Sequence, residues 1–236
     1  MRERRGPSLT IDVYDQLRVA VLHGELTSGQ RLHLSNLAKE YGVSLGVMRE
    51  AVTRLASERL LEATPQAGFR VRPISTEHLA HLTEVRCHLE RLAVTEAILN
   101  GDVHWEGDLV AAHHVLSITP PVVGDTLNPE WMSAHRKFHT ALAAGCPNPI
   151  LLDLRQQLFD EAELYRHRSA ERGGRKRNIG REHKALLEAA LARDVDTAST
   201  LIESHLRTTA ELSAANLQHL DGAAPSPTPS NPEQQR

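Results

Sequence analysis

Apolar residues recur at helical spacing from near the start of the chain. Val13, Leu17 and Val21 fall four apart within "IDVYDQLRVAVLH", which predicts an amphipathic helix over 11–23. "GELTSGQ" ends that pattern with two glycines. In "LSNLAKEYGVSLGVMREAVTRLASERLL", Leu34, Leu37, Ala38 and Tyr41 form a short helical face that Gly42 interrupts. Ser44 suits the N-cap of a second helix, whose expected buried face is Val47, Ala51, Val52 and Leu55. Two short helices across a glycine-containing turn make a helix-turn-helix pattern, although a plain αα-hairpin reads the same way. The next stretch, "LLEATPQAGFRVRPI", has two short extended runs flanking "PQAG", which predicts a β-hairpin. Helix, helix-turn-helix and hairpin in that order make a winged helix.

Beyond Ile74 the pattern is wholly helical. Leu79, Leu82, Leu89, Ala93 and Ala97 share one stripe over 76–99, and "VHWEGDLVAAHHVL" predicts another helix. "SITPPVVGDTLNP" reads as a Pro/Gly loop, and a helix follows over 130–144. Pro149 then opens a long helix at the position where proline is tolerated. "SAERGGRKRN" is a polar, basic loop before two last helices, about 179–193 and 195–219. The expected fold is mainly α, an N-terminal winged helix-turn-helix followed by an all-α antiparallel bundle of six or seven helices. The expected divisions are a flexible start (1–8), the winged helix (9–75), the helical domain (76–219) and a disordered tail (220–236). That tail is rich in Pro and Ser and cannot bury a core.

Composition narrows the class. The 236 residues are 40% hydrophobic but only 3% aromatic, so the core must be built mostly of Leu, Ala and Val. Cys87 and Cys146 form no CxxC pair, which argues against a zinc ribbon or a disulfide framework. No apolar run reaches the length of a membrane span, and "MRERRGPSLT" lacks the apolar stretch of a signal peptide. The expectation is a soluble cytoplasmic protein with no membrane partner. Residues 1–73 hold 11 Lys/Arg against 8 Asp/Glu, while the remainder holds 16 against 22. A basic front and an acidic back suit nucleic-acid contact at the front.

The candidate chemistry is in histidines. "HRKFHTAL" places His135 and His139 four apart, on one face of a helix. That is the spacing with which two imidazoles grip a transition metal. His139 shares a stripe with Leu142, and His183 shares one with Leu186, Leu187 and Ala190. His205 lies on the stripe of Ala198, Ile202, Thr209 and Leu212. These positions point into the bundle, and a buried imidazole must be hydrogen-bonded or metal-bound. His78, His81, His104, His113, His114, His167 and His219 share no pattern and read as surface or core residues. Arg86 and Glu90 also sit on an apolar stripe. They either pair with each other at i,i+4, or Arg86 grips the carboxylate of an effector.

The segment "GQRLHLSNLAKEYGVSLGVMREAVTRLASERLL…GFRVRPIS" resembles the DNA-binding domain of the GntR family of bacterial transcription regulators, over about residues 9–75. Residues 76–217 resemble the effector domain of its FadR subfamily, the FCD domain. The resemblance implies a homodimer, probing a palindromic double-stranded operator with one recognition helix per half-site. Candidate DNA-contacting residues are then Ser44, Leu45, Gly46, Arg49, Arg54, Gly68 and Arg70. Many relatives carry Arg where this chain has Leu45.

Many FadR-type effector domains bind a divalent metal through one Asp and three His. The matching places here are "HRKFH", "EHKALLEAAL" and "IESHL", so His135, His139, His183 and His205 are the implied ligands. His135 stands where Asp is usual, which favours Zn²⁺ or Ni²⁺ over Mg²⁺ or Mn²⁺. A zincin needs a glutamate beside its first histidine, and Arg136 stands there. No G-x-S-x-G and no P-loop occurs. The reading is therefore a regulator, expected to be a repressor, whose helical domain senses a small organic acid through the metal, Arg86 and Glu90. Likeness to regulators of γ-aminobutyrate and carbon-starvation metabolism suggests a dicarboxylate such as glutarate. The alternatives are a metal-dependent hydrolase fused to a DNA-binding domain, and a regulator whose metal is purely structural.

Overall fold

The computed structural model describes residues 9–22, 24–64, 68–124, 126–170 and 177–221. The expected flexible start, the tail beyond 221, the hairpin turn at 65–67 and the side chains of His167 and His219 lie outside them.

Helix α1 (Leu9–Leu22) buries Val13, Leu17 and Val21, the stripe the sequence pattern marks. A two-residue strand β1 (Arg31–Leu32) precedes α2 (Leu34–Glu40) and α3 (Leu45–Ser57). Gly42, at φ +64°, turns the chain between α2 and α3, in a conformation that favours glycine. Ser44 then caps α3, its hydroxyl accepting from the Val47 N–H at 3.3 Å. The buried face of α3 is Met48, Ala51, Val52 and Leu55. Val47 was expected there and is only partly buried; the helix is rotated so that Met48 meets the core instead.

Strands β2 (Leu61–Thr64) and β3 (Gly68–Val71) form the expected hairpin. The sheet is larger than expected, with three antiparallel strands in the order β1-β3-β2. Arg31 and Leu32 pair with Arg70 and Phe69. A two-residue strand carries no periodicity, which is why the sequence hid it.

Six helices follow among the described residues: α4 (Thr76–Asn100), α5 (Val103–Ile118), α6 (Pro129–Ala143), α7 (Pro149–Ala170), α8 (Ile179–Leu191) and α9 (Val195–Asp221). Helix α4 packs along α9, and α7 packs on both. The Pro/Gly loop expected between α5 and α6 is instead a small antiparallel ribbon, β4 (Val122–Val123) and β5 (Thr126–Leu127). Asn128 caps α6 through the Glu130 N–H, with Pro129 in the first turn.

Two apolar cores result. The first fills the winged helix and reaches Leu79, Leu82, Leu164, Tyr165 and Leu217 of the bundle, joining the two regions through α4, α7 and α9. The second lies within the bundle. No described helix is long and apolar enough to cross a membrane.

Candidate functional site: a buried histidine cluster facing an arginine

Helix α6 supplies His135 and His139, α8 supplies His183 in its first turns, and α9 supplies His205. Each is at most 2% exposed. One ring nitrogen from each lies within 4.8 Å of the others. Leu212, expected on the stripe of His205, is 39% exposed, because the buried face of α9 continues through Ser213 and Leu217 instead. The cluster is walled by aromatic rings: Trp131 stacks on His135 at 4.9 Å between centroids, and Phe138 meets His183 edge-on at 5.2 Å.

Burial holds the imidazoles neutral. Desolvation, reinforced by Arg166 and the neighbouring rings, pushes His135 far below the ordinary value. His139 is driven down likewise, by burial first and then by His205 and His183. Burial brings His183 to about 2 and His205 to about 4. A neutral imidazole keeps one lone pair, the form in which it ligates a metal.

Glu182 Oε2 lies 2.8 Å from His205 Nδ1 and Arg177 Nη2 lies 3.1 Å from it; the contact with the carboxylate favours a proton on Nδ1 and a lone pair on Nε2. Burial would raise the Glu182 carboxyl, but hydrogen bonds from Arg177 and His205 draw it to about 2. A carboxylate behind a ligating histidine fixes its tautomer and ring orientation. The His205 Nε2, His183 Nε2 and His139 Nδ1 atoms are buried without a hydrogen-bond partner. Four convergent imidazoles, three of them with an orphaned nitrogen, fit a borderline-soft divalent ion. His135 has competing company: its Nε2 lies 3.0 Å from His139 Nε2, and Arg166 Nη1 lies 2.7 Å from its Nδ1. Arg166 Nη1 also lies 3.0 Å from His135 Nε2; a guanidinium only donates, so whichever His135 nitrogen it bonds must accept.

Beside the cluster, Glu90 is gripped bidentately by Arg155 at 2.9 and 3.1 Å, and Arg155 also donates to the His139 carbonyl at 3.1 Å. Arg86 reaches Glu90 only at 3.8 Å. The expected Arg86–Glu90 pair is thus a secondary contact. Arg86 Nε and Nη2 are buried without a hydrogen-bond partner, and the guanidinium lies 5.5 Å above the Phe159 ring. Burial lowers its proton affinity.

Sequence reasoning missed Arg155, Arg166 and Arg177. Arg155 was findable, since it sits midway between buried Leu151 and Phe159 at spacings of four, the signal that flagged Arg86. His113 lines, with Trp131, Arg181 and His183, a cavity of about 690 Å³ opening beside the cluster.

In the winged helix, Ser44, Leu45, Gly46 and Arg49 are all exposed around the start of α3. Arg54 lies 3.8 Å over the Tyr14 ring and 3.7 Å from Glu58. Gly68 opens β3 at φ +82°, and Arg70 donates twice to Glu62 at 2.6 and 2.8 Å.

Comparison with known proteins agrees with this architecture. The family described as "Bacterial regulatory proteins, gntR family" matches residues 9–71, and the FCD domain matches residues 81–208. The chain belongs to the GntR family of bacterial regulators, in the branch that carries an FCD domain. It is 33% identical over 202 residues to the uncharacterized HTH-type transcriptional regulator BphR of Paraburkholderia xenovorans, covering 84% of this chain and 82% of that one. It is likewise 33% identical over 204 residues to the HTH-type transcriptional repressor GlaR of Escherichia coli, covering 84% and 93%. The solved E. coli McbR/YncC superposes with a TM-score of 0.73 at 24% identity, covering 91% of this chain and all of that one. The chain is therefore a DNA-binding transcriptional regulator with a domain for a small-molecule effector, and its relatives are regulators rather than enzymes. FCD domains are often metal-binding, and the histidine cluster is the matching feature here.

Proposed function

We infer that the chain is a homodimeric cytoplasmic repressor that senses a small dicarboxylate at a histidine-held divalent metal. The observation that carries this is the pairing of the convergent histidines with a neighbouring buried arginine, Arg86, whose Nε and Nη2 lack hydrogen-bond partners. His139, His183 and His205 would hold Zn²⁺ or Ni²⁺, with His135 as a fourth ligand once it is released by Arg166. The metal would supply a Lewis-acidic docking point for one carboxylate. Arg86 would take the second, because a guanidinium left unsatisfied in the interior is a costly feature that an anion relieves. Glu90, locked by Arg155, orients the floor of that site rather than touching the anion.

On the DNA side, Arg49 would read a base edge from the first turns of α3, and Leu45 would meet a thymine methyl. Ser44, Gly46, Gly68 and Arg70 would position the domain on phosphates, and Arg54 would steady α3 against Tyr14. The similarity to a named repressor favours repression, and a palindromic operator is what a homodimer would read.

The test is elemental analysis of dialysed protein, expected to give about one Zn²⁺ or Ni²⁺ per protomer, followed by titration of C3 to C6 dicarboxylates. DNA release is read on a duplex selected by the protein from a random pool. Metal-free protein of undiminished stability, or dicarboxylates without effect on DNA binding, would overturn this reading.

A further inference from the structure

Helix α7 touches both the histidine cluster and the winged helix, through consecutive residues. Phe159 faces the cluster, its ring 6.0 Å from His135 and 5.8 Å from His139. Arg155 and Arg166, one turn to either side and beyond, contact the His139 carbonyl and the His135 ring. Two residues further on is about 200° around a helix, so Glu161 faces away from Phe159.

That far side is built against the DNA-binding region. Glu161 has no exposed side-chain surface. Its carboxylate meets three groups that lie outside the bundle core: His78 Nε2 at 2.6 Å, Arg72 at 3.6 Å and Arg59 at 3.6 Å. Arg59 directly follows the C-cap of α3, Arg72 follows β3, and His78 is in the first turn of α4 where the two regions join. Arg72 also donates to the Arg59 carbonyl at 2.6 Å, tying the wing to the end of α3. Glu161 Oε2 makes no hydrogen bond, so its hold on Arg59 is purely ionic.

Asp160 completes the contact. It faces Arg18 of α1 at 3.2 Å, accepts from Gln156 at 3.0 Å and pairs with Arg136. Arg136 is the residue next to His135. One carboxylate thus bridges the helix that carries two of the clustered histidines and the first helix of the winged domain.

We propose that Asp160 and Glu161 form the latch through which the histidine site sets the position of the winged helix. This rests on the reading of that site as a metal-held sensor. Movement of α6 or α7 on ligand binding displaces Phe159 and Arg136 together with the two carboxylates. The ionic contacts of the two carboxylates with Arg18, Arg59 and Arg72, at 3.2 to 3.6 Å, break or reform over small shifts, whereas the His78–Glu161 hydrogen bond and the apolar seam of Leu164 and Tyr165 keep the regions joined.

The experiment uses the full chain, the selected duplex, and Zn²⁺ alone as the probe. DNA affinity is measured with Zn²⁺ and with chelator for the wild type, Glu161→Gln and Asp160→Asn. The wild-type affinities should differ by about fivefold or more, the ordinary lower range of allosteric coupling. In both variants the ratio should fall towards one, with Zn²⁺ affinity unchanged. Variants that keep the wild-type ratio overturn the latch, and so does a wild type that binds Zn²⁺ with no effect on DNA. If the wild type binds no Zn²⁺, it is the metal reading that fails. The latch is then judged by hydrogen exchange: faster exchange confined to α1, β3 and the start of α4 in both variants supports it, and unchanged exchange overturns it. Should Glu161→Gln fold poorly, His78→Ala removes the hydrogen bond to that carboxylate from the more exposed side and is read in the same way.

Discussion

In the winged helix, Arg70 meets Glu62 with 45% of its side chain exposed; in the bundle, Arg155 meets Glu90 with both side chains 2% exposed. The two pairs have the same chemistry and similar distances. The surface pair is solvated, so its members exchange partners at little cost, which suits a residue that must find a phosphate. The buried pair has lost its water and is held by mutual attraction and by the His139 carbonyl. It is scaffold. Like pairs thus differ by burial: the exposed one leaves its arginine free to take a new partner, and the buried one does not. Arg86 is the exception that marks the sensing site: buried like Arg155, unsatisfied unlike it.

Breaking the buried pair should have the largest effect. Arg155→Leu leaves Glu90 charged in the core with only the 3.8 Å contact to Arg86, and should cost about 3–5 kcal/mol of stability in urea denaturation. Arg155→Leu combined with Glu90→Leu should recover only part of that loss, because the buried carboxylate is gone but Arg86 loses its nearest acceptor. A single variant within about 1 kcal/mol of wild type would mean that Glu90 is satisfied in some other way.

Zinc should come next. At a free concentration a hundredfold above Kd, a ligand that binds only the folded state adds about 2.7 kcal/mol. The bundle should gain that much in thermal unfolding, and His183→Ala should abolish the gain. A gain that survives in His183→Ala would place the bound ion elsewhere.

These features were unequally legible in the sequence. The winged helix could be read because each element carries its own local signal: the Val13-Leu17-Val21 stripe, the Ser44 cap, the turn glycines. The histidines could be read as inward-facing from helical spacing, and the family resemblance grouped them. What was hidden depends on pairs distant in sequence. Glu90 finds Arg155 across 65 positions, and Glu161 finds His78 across 83. Periodicity says which face a residue occupies but not what lies opposite. That is why Arg86 and Glu90 were expected to pair along one helix, and why the second helix decided the matter. The β4–β5 ribbon was hidden differently, since two-residue strands are too short to show alternation.

Arg86→Met sharpens the contrast between the two buried arginines. Arg155 has its partners, while Arg86 is desolvated with its best acceptor 3.8 Å away. Its replacement by an apolar residue of similar length should be neutral or stabilising by roughly 1 kcal/mol in protein free of effector. The same substitution should remove the dicarboxylate response while leaving zinc binding and basal DNA affinity intact. If Arg86→Met instead destabilises as strongly as Arg155→Leu, Arg86 is scaffold too, and the effector site lies elsewhere.

The smallest effect on stability is expected at Arg70, and it tests the surface half of the comparison. Arg70→Gln removes an exposed ion pair, so unfolding should shift by less than about 1 kcal/mol. DNA binding should nonetheless weaken, because the wing loses a cation near the duplex. A phosphate contact carries no sequence information, so the loss should be similar on selected and unrelated duplexes, and the slope of log affinity against log salt should fall by about 1. Arg49→Ala should differ in kind: if it reads a base, it costs about 1–3 kcal/mol on the selected duplex and relaxes the preference at one position. Glu62 supplies the converse. Its carboxylate holds both Arg70 nitrogens in free protein and must release them for phosphate. Glu62→Gln should therefore tighten binding to all sequences at low salt, with stability again nearly unchanged. An Arg70→Gln protein that binds DNA as the wild type does, with the same salt slope, would make the Arg70–Glu62 contact a structural feature of the hairpin and leave the α3 residues as the DNA-contacting set.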